Sequence, residues 1–206
     1  MQIIAAAPDK QWEELIHSRP QIEWVRVSSG VEFAQYPNAS SYFNMNDPGI
    51  MPVYASLNRP VVIHSVTDTL QELNAPPHVF RINAWPGFLQ RSSWEIAGNT
   101  SNEINAVLQA MGIHMYAVAD EPGFISARII AMVINEAYLA LEQEVSTKEE
   151  IDTAMKLGTN YPFGPFEWAN AIGIENVFSL LEKLNRESNR YKPSAILAGE
   201  AELKRS

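Results

Sequence analysis

Imidazole side chains are the first candidates for acid–base chemistry in this chain. It has four histidines, at positions 17, 64, 78 and 114, and none of them is spaced as a metal-binding pair on one helix face. His64, which precedes Ser65, and His78 stand at the ends of predicted strands. Because the carboxyl ends of strands border the ligand crevice of an open parallel sheet, these two histidines are the better candidates for a general base.

A second group of candidates follows the predicted strand that ends at Asn83. Trp85 begins a Trp-Pro-Gly turn, so an amide and an aromatic ring would lie at one rim of the sheet and could bind a substrate. Glu95 stands between a tryptophan and an isoleucine. A carboxylate among apolar neighbours can have a raised pKa or can orient a base. The alternatives are an ordinary packed turn and a solvated glutamate.

The turn between the first predicted strand and the first helix decides whether a dinucleotide can bind. Residues 5–9 read Ala-Ala-Ala-Pro-Asp, without glycine. Glycine at this turn lets the backbone approach the pyrophosphate, and the helix N-terminus supplies positive potential. Asp9 would place a carboxylate where the phosphates must lie. The sequence therefore predicts that no cofactor binds here in the usual way.

Composition and charge exclude several classes of function. The 206 residues are 46% hydrophobic and 19% charged, which indicates a folded globular protein. Lys and Arg number 15 against 24 Asp and Glu, and a net charge of −9 disfavours nucleic acid and anionic membranes as partners. The absence of cysteine excludes disulfides, cysteine nucleophiles and cysteine-ligated metals. With no signal-peptide pattern and only a short apolar run at 129–133, we expect a cytoplasmic protein.

The elements that must position these residues change character near residue 120. Before it, short apolar runs alternate with helical patterns at 9–18 and 100–111. The predicted strands are residues 2–6, 22–27, 41–45, 61–66, 79–83 and 115–118. This alternation predicts an α/β domain over residues 1–120, with a shortened Rossmann-like parallel sheet and helices on both faces.

From Pro122 onward the patterns are helical. Residues 124–144 predict one long helix, and residues 146–149 predict a capping box for a helix that ends at Gly158. Two more helices are predicted, over 165–172 and from 174 onward, and the polar tail 187–206 is predicted to be loosely held. We therefore expect an all-α domain over residues 121–206.

Four spaced motifs lie in this helical half. They are Pro-Gly-Phe-Ile-Ser-Ala-Arg at 122–128, Glu-Ala at 136–137, Ile-Asp-Thr-Ala-Met-Lys-Leu-Gly at 151–158 and Tyr-Pro-Phe-Gly-Pro-Phe-Glu at 161–167. Together they closely resemble the C-terminal helical domain of the 3-hydroxyacyl-CoA dehydrogenase family. Residues 81–120 are more weakly similar to the last part of its nucleotide-binding domain. The first sixty residues share only its strand–helix rhythm and are shorter.

The resemblance implies oxidation of the 3-hydroxyl group of an acyl-CoA thioester, with NAD accepting the hydride. In that family a histidine is the general base, a glutamate orients it, and a serine and an asparagine hold the substrate oxygen. Glu95 matches the glutamate and Ser65 the serine. Phe80 stands at the histidine position and Ala127 at the asparagine position, so two roles are unfilled.

His78 is the candidate replacement for the missing base. It lies two residues before Phe80, and residues i and i+2 of a strand face the same way, so His78 could reach toward Glu95 if the register shifted. The resemblance also makes Asn83, Trp85 and Arg128 the candidate substrate-binding residues.

Three functional hypotheses result. We favour a non-catalytic relative that keeps the fold, the dimer and an acyl-CoA or small-ligand pocket, because Phe80, Ala127 and the glycine-free turn are three separate losses on one chemical path. The alternative is an active minimal NAD-dependent 3-hydroxyacyl-CoA dehydrogenase of fatty-acid oxidation that uses His78 and Glu95. The third is a protein-interaction module. In the resembled family the helical domain carries the dimer interface, so we expect a homodimer; we expect no metal.

Overall fold

The computed structural model describes residues 1–46 and 51–205. The chain forms two compact units, Met1–Phe124 and Ile125–Ser206. The first contains the sheet and the second contains only helices, so the α/β-plus-α architecture expected from the sequence is confirmed.

The first unit is built on a seven-stranded sheet of order β2-β1-β3-β4-β5-β6-β7. The first five strands are parallel, β6 is antiparallel to β5, and β7 is parallel to β6. The strands are β1 Gln2–Ala6, β2 Glu23–Val27, β3 Ser41–Asn44, β4 Val61–His64, β5 Val79–Ile82, β6 Ser93–Ala97 and β7 His114–Val118. The helices are α1 Asp9–Ser18, α2 Met51–Tyr54 and α3 Asn102–Ala110, with a 3₁₀ helix at Gly30–Gln35.

Each face of the sheet has its own apolar core. Successive residues of a strand point to opposite faces, so Ile3 and Ala5 pack in one core while Ile4 and Ala6 pack in the other. Residues of α1 and α3 cover the first face, and those of α2 and the 3₁₀ helix cover the second. Because both faces are covered, the central strands consist almost wholly of buried residues.

The sheet departs from the predicted parallel rhythm around β6, which the sequence interpretation did not recognise as a strand. From Ser93 to Ile96 its residues alternate between half-buried and buried, as expected for a strand with one face less covered than the other. Between β4 and β5 the described chain forms turns instead of a helix, and α2 has only four residues. Because these connections are so short, their sequences contain no helical periodicity from which a helix could be predicted.

The second unit consists of five α-helices and a short 3₁₀ turn at Asn189–Tyr191. The helices are α4 Ser126–Glu142, α5 Lys148–Thr159, α6 Pro165–Ile172, α7 Ile174–Asn185 and α8 Ala195–Arg205. In the described ranges 1–46 and 51–205, no helix has the length and apolar character needed to cross a membrane.

The prediction of a loosely held tail is wrong. Leu197 and Ala201 of α8 are fully buried, and the Ser194 hydroxyl that precedes α8 donates to Glu142 of α4 at 2.5 Å. Glu200 accepts one hydrogen bond from Tyr138 of α4 at 2.7 Å and another from Lys148 of α5 at 2.6 Å. The tail is polar because it pairs with polar groups on α4 and α5.

The ends of α5 differ by one or two residues from the prediction. The N-cap is Thr147, whose hydroxyl accepts from the Glu150 amide at 3.3 Å, while the Glu150 carboxylate accepts from the Thr147 amide at 3.2 Å. The capping box therefore lies one residue later than predicted. Gly158 lies inside the helix, which ends at Asn160 in the left-handed conformation (φ 55°).

Helix α6 receives its N-terminal cap from α5. The Asp152 carboxylate accepts from the backbone amides of Phe166 at 2.8 Å and Glu167 at 3.1 Å. The carboxylate comes so close to the helix start that a Cβ at Gly164 would lie 2.3 Å from Asp152 Cγ. Glycine is required at position 164 for space, because its φ of −72° suits any residue.

Candidate active site

The polar candidates of the first unit meet at one edge of the sheet. His64 ends β4 and pairs with Ile82 at the end of β5. Since β6 is antiparallel to β5, its first residues lie at this same edge. Ile82 pairs with Ile96, and continuing the register by one residue places Asn83 opposite Glu95. The fold therefore brings His64, Asn83 and Glu95 to the edge where parallel sheets bind ligands.

His64 is held in one orientation by the backbone. Its Nδ1 accepts a hydrogen bond from the Ala84 amide at 3.1 Å, and the ring is half-buried. Burial lowers the pKa of His64 to about 4, and the nearby Ile82 carbonyl opposes this in part. The imidazole is therefore neutral near pH 7.

Ser65 and Asn83 serve local turns. The Ser65 hydroxyl donates to the Asp68 carbonyl at 2.7 Å, so its proton is committed to the loop after β4. Asn83 Oδ1 accepts from the Trp85 amide at 3.0 Å. Both residues are buried. The predicted oxygen-holding role of Ser65 would require its hydroxyl to leave the Asp68 carbonyl.

Trp85 packs inside the protein, so its predicted place at an open rim is wrong. Its side chain is only 3% exposed. The loop that contains it docks on α1, where Glu14 accepts from the Gly87 amide at 2.7 Å. At the end of α1, Arg19 donates to the Arg91 carbonyl at 2.5 Å. The loop also buries Phe88 and Leu89.

His78 and Glu95 do not form the predicted pair. His78 precedes β5, at the amino end of that strand, and its Nε2 lies 2.9 Å from the Tyr54 carbonyl. Glu95 lies opposite Asn83, five residues further along, which is about 16 Å at the rise of a strand. Phe80, at the family's histidine position, is 1% exposed and belongs to the core. The register of β5 against β6 excludes this replacement base.

Arg128 and Ala127 belong to the second unit. Both lie in the first turn of α4, where Ala127 is fully buried and Arg128 is half-buried.

Arg81 is a buried charge to which the sequence analysis gave no role. Its side chain is fully buried and donates from Nε to Asp120 at 2.6 Å. Its Nη atoms donate to the carbonyls of Ser65 at 2.9 Å and Glu121 at 2.6 Å, and its guanidinium lies 4.6 Å from the centre of the Phe124 ring. Burial lowers the pKa of Arg81, and Asp120 opposes this. A lone arginine in an apolar strand was the available signal, because a buried charge must be paired.

The β1–α1 turn does not fit the pyrophosphate of NAD. Pro8 is the N-cap of α1 and has no amide proton to offer, and Asp9 is the first helical residue. The Arg26 guanidinium donates to Asp9 at 2.6 Å and to the Ala7 carbonyl at 2.9 Å. A pocket of about 410 Å³ beside this turn is lined by Arg26 and five other residues. Because Arg26 is already paired with Asp9, the pocket offers no unpaired cation to a phosphate. The first glycine of the chain is Gly30.

The part of the chain that the structure describes contains no group of side chains that could bind a metal ion. No three His, Asp or Glu side chains within residues 1–46 and 51–205 are placed to hold an ion.

Residues 123–205 match the family model described as 3-hydroxyacyl-CoA dehydrogenase, C-terminal domain. In these residues the chain contains a C-terminal domain of the 3-hydroxyacyl-CoA dehydrogenase family. A 3-hydroxyadipyl-CoA dehydrogenase of Escherichia coli K12 is 42% identical over 98 residues, which are 47% of this chain and 21% of that protein.

Solved structures extend the likeness to the sheet. A 3-hydroxybutyryl-CoA dehydrogenase of Escherichia coli K12 is 32% identical over 72% of this chain and 33% of its own, with a TM-score of 0.60. An (S)-3-hydroxybutyryl-CoA dehydrogenase of Ralstonia eutropha covers 96% of this chain and 91% of its own, with a TM-score of 0.73 at 16% identity, which shows a common fold. The chain spans only about a fifth to a third of the two Escherichia coli relatives.

Proposed function

We propose that this chain is a non-catalytic relative of the 3-hydroxyacyl-CoA dehydrogenases that binds an acyl-CoA or a similar carbonyl compound without oxidising it. The observation that carries the proposal is the β1–α1 turn. Hydride transfer needs an acceptor, and this turn presents alanine methyl groups, a proline and a carboxylate bound to Arg26 where the family needs a pyrophosphate cradle.

The sheet edge supports the same conclusion. Phe80 lies in the core, and His78 lies about 16 Å along the sheet from Glu95. His64 is held by the Ala84 amide and the Ile82 carbonyl, so it does not replace the missing base. Loss of a general base costs about 10²–10⁴-fold in rate, and loss of an oxygen-holding donor costs roughly 10²–10³-fold. Together these losses would bring an ordinary turnover of about 10 s⁻¹ to roughly 10⁻³ s⁻¹ or lower.

The ligand class comes from the relatives and from the edge itself. The relatives named above are dehydrogenases of CoA thioesters. His64, Asn83 and Glu95 remain at the carboxyl edge of the sheet, so polar groups that could contact an acyl carbonyl are retained.

A second activity, self-association, is favoured by the surface of the helical unit. Ile125 and Ile129 stand one helical turn apart and are 59% and 55% exposed. Leu157 is 83% exposed, and Phe163 is 41% exposed. Adjacent exposed apolar side chains, such as Ile125 and Ile129, are typical of interaction surfaces, and a second copy of this chain is the partner we propose.

The test compares binding with turnover in the full chain. Purified protein is assayed for NADH formation with 3-hydroxybutyryl-CoA, beside an active relative as positive control, and its melting temperature is measured with NAD, CoA and acetoacetyl-CoA. We expect no NADH, no shift with NAD and a rise with acetoacetyl-CoA. NADH formation, or a clear shift with NAD, would refute the non-catalytic assignment.

A further inference from the structure

A cavity of about 320 Å³ lies at the amino ends of β3 and β4, away from the candidate active site. Tyr42, the second residue of β3, lines this cavity and pairs with Val61, the first residue of β4. His64 lies at the other end of β4. The volume is at the lower end of the range of small-molecule sites, so the cavity has room for a small metabolite.

The wall of the cavity is held in place by the core of the first unit. Tyr42 is 1% exposed, and its hydroxyl donates to the Tyr36 carbonyl at 2.8 Å. The centre of its ring lies 5.1 Å from that of Phe33. Ala34 and Pro37 supply apolar surface beside it. A wall that is already ordered lowers the cost of binding a ligand.

Arg59 is the one charged residue among the described residues that line the cavity. It is exposed, and it makes no ion pair with any carboxylate in residues 1–46 and 51–205. Burial raises the pKa of the Tyr42 hydroxyl and the Arg59 cation opposes this, so the guanidinium lies near the wall. The chain has 24 acidic residues, and none of those that the structure describes lines this cavity. The cavity is therefore a locally positive site on an acidic protein.

The polar groups beside Arg59 determine which anion the cavity suits. Asn58 is exposed and lines the cavity, and its side-chain amide can donate two hydrogen bonds. The Ser56 hydroxyl donates to the Val53 carbonyl at 3.1 Å, so its proton is committed. A guanidinium presents a planar fork of N–H donors that matches two oxygens of a carboxylate or phosphate. Arg59 and Asn58 are thus the donors available to an oxyanion.

We infer that this cavity binds the carboxylate or phosphate group of a small molecule, with Arg59 and Asn58 as donors and the Ala34–Pro37 wall as the contact for the rest of the ligand. The inference does not depend on the proposed function, because the cavity and the candidate active site lie at opposite edges of the sheet. A single exposed cation supports only weak binding of a bare ion, with a dissociation constant of about 1 mM or higher.

An NMR titration of the full chain tests the inference. Sodium phosphate, sodium acetate and sodium benzoate are added at constant ionic strength set with sodium chloride. The Nε–H signal of Arg59 and the side-chain amide signals of Asn58 are followed. We expect saturable shifts, with benzoate binding more tightly than acetate because its ring can pack on the apolar wall. Comparison of phosphate with the two carboxylates shows which head group the cavity prefers.

Three variants show whether any binding belongs to this cavity. Arg59→Gln removes the charge, and Ala34→Leu narrows the cavity while leaving Arg59 in place. Arg186→Gln, at an exposed arginine of the helical unit, is the control for the change in net charge. Followed by the Asn58 signals, binding should weaken at least about tenfold in the first two variants and stay unchanged in the third.

Two results would overturn the inference. One is the absence of a saturable shift with all three probes at concentrations up to about 100 mM. The other is equal binding by Arg59→Gln and Arg186→Gln. Ala34 and Arg59 are both exposed, so neither substitution disturbs the core, and the backbone spectrum of each variant shows whether the fold is kept.

Discussion

The cap that joins α5 to α6 makes a strong prediction about stability. In Gly164→Ala the new Cβ would lie 2.3 Å from the carboxylate carbon of Asp152, so the carboxylate must move away. It would then lose its hydrogen bonds to the Phe166 and Glu167 amides. Loss of this cap costs about 1–2 kcal/mol and the overpacking adds about 1 kcal/mol or more, so we expect a loss of roughly 3 kcal/mol in the free energy of unfolding.

A double-mutant cycle isolates this contact. Asp152→Ala should cost about 1–2 kcal/mol, as the loss of a helix cap does. On the Asp152→Ala background, Gly164→Ala should cost only about 1 kcal/mol, because the carboxylate is gone and only the Cβ of residue 152, 2.4 Å from the new Cβ, must still give way. We therefore expect a coupling energy of about 2 kcal/mol between the two substitutions, measured by urea denaturation followed by circular dichroism. In thermal melts, the single Gly164→Ala change should lower the midpoint by roughly 6–12 °C.

The chain offers two matched controls. Gly158 in α5 and Gly199 in α8 have open space where a Cβ would be added. Alanine at either position should raise stability by about 0.5–1 kcal/mol, because glycine is a poor helix former. If Gly164→Ala is as harmless as Gly158→Ala, or if the cycle is additive, the capping role of Asp152 is refuted.

Three further perturbations test other parts of the molecule. The folded-state pKa of His64, about 4, lies below its ordinary value of 6.5, so the unfolded chain binds the extra proton and stability falls as the pH is lowered from 6.5 toward 4. Urea denaturation should show a free energy of unfolding that is lower at pH 5 than at pH 8 by at most about 2 kcal/mol. If the His64→Asn variant shows the same dependence on pH, this prediction is contradicted. Arg81→Met should destabilise the first unit by roughly 3 kcal/mol in urea melts, because the acceptors at Asp120, Ser65 and Glu121 lose their buried donor. Asp120→Asn should be milder, because asparagine still offers an oxygen to Arg81. Equal, negligible effects would argue against the buried pair. Ile129→Glu should give a monomer by light scattering, while Val145→Glu, on a residue that is 68% exposed elsewhere in the helical unit, should not; a monomeric unmodified chain would remove the dimer proposal.

Much of the helical unit follows from the order of residues along the chain. Gly112 and Gly173 follow the ends of α3 and α6 with φ of 72° and 89°, a conformation that favours glycine. The motif at 161–167 starts α6 with a glycine cap and a proline in the first turn. These features depend on residues a few positions apart, so local patterns predict them.

The sheet edge could not be predicted in the same way. Whether His78 meets Glu95 depends on the antiparallel register of β5 and β6, and that register places Asn83 there instead. Whether Trp85 lines a rim or fills the core depends on the docking of its loop on α1. Arg81 pairs with Asp120, which is 39 residues away in the chain, and Ser194 donates a hydrogen bond to Glu142, which is 52 residues away.

The sequence by itself determined the division into an α/β and an α unit, the family of the helical half and the absence of glycine from the β1–α1 turn. Tertiary structure decided which polar groups meet, because helix and strand periods are set by near neighbours, whereas strand order, register and the pairing of buried charges depend on contacts between distant parts of the chain.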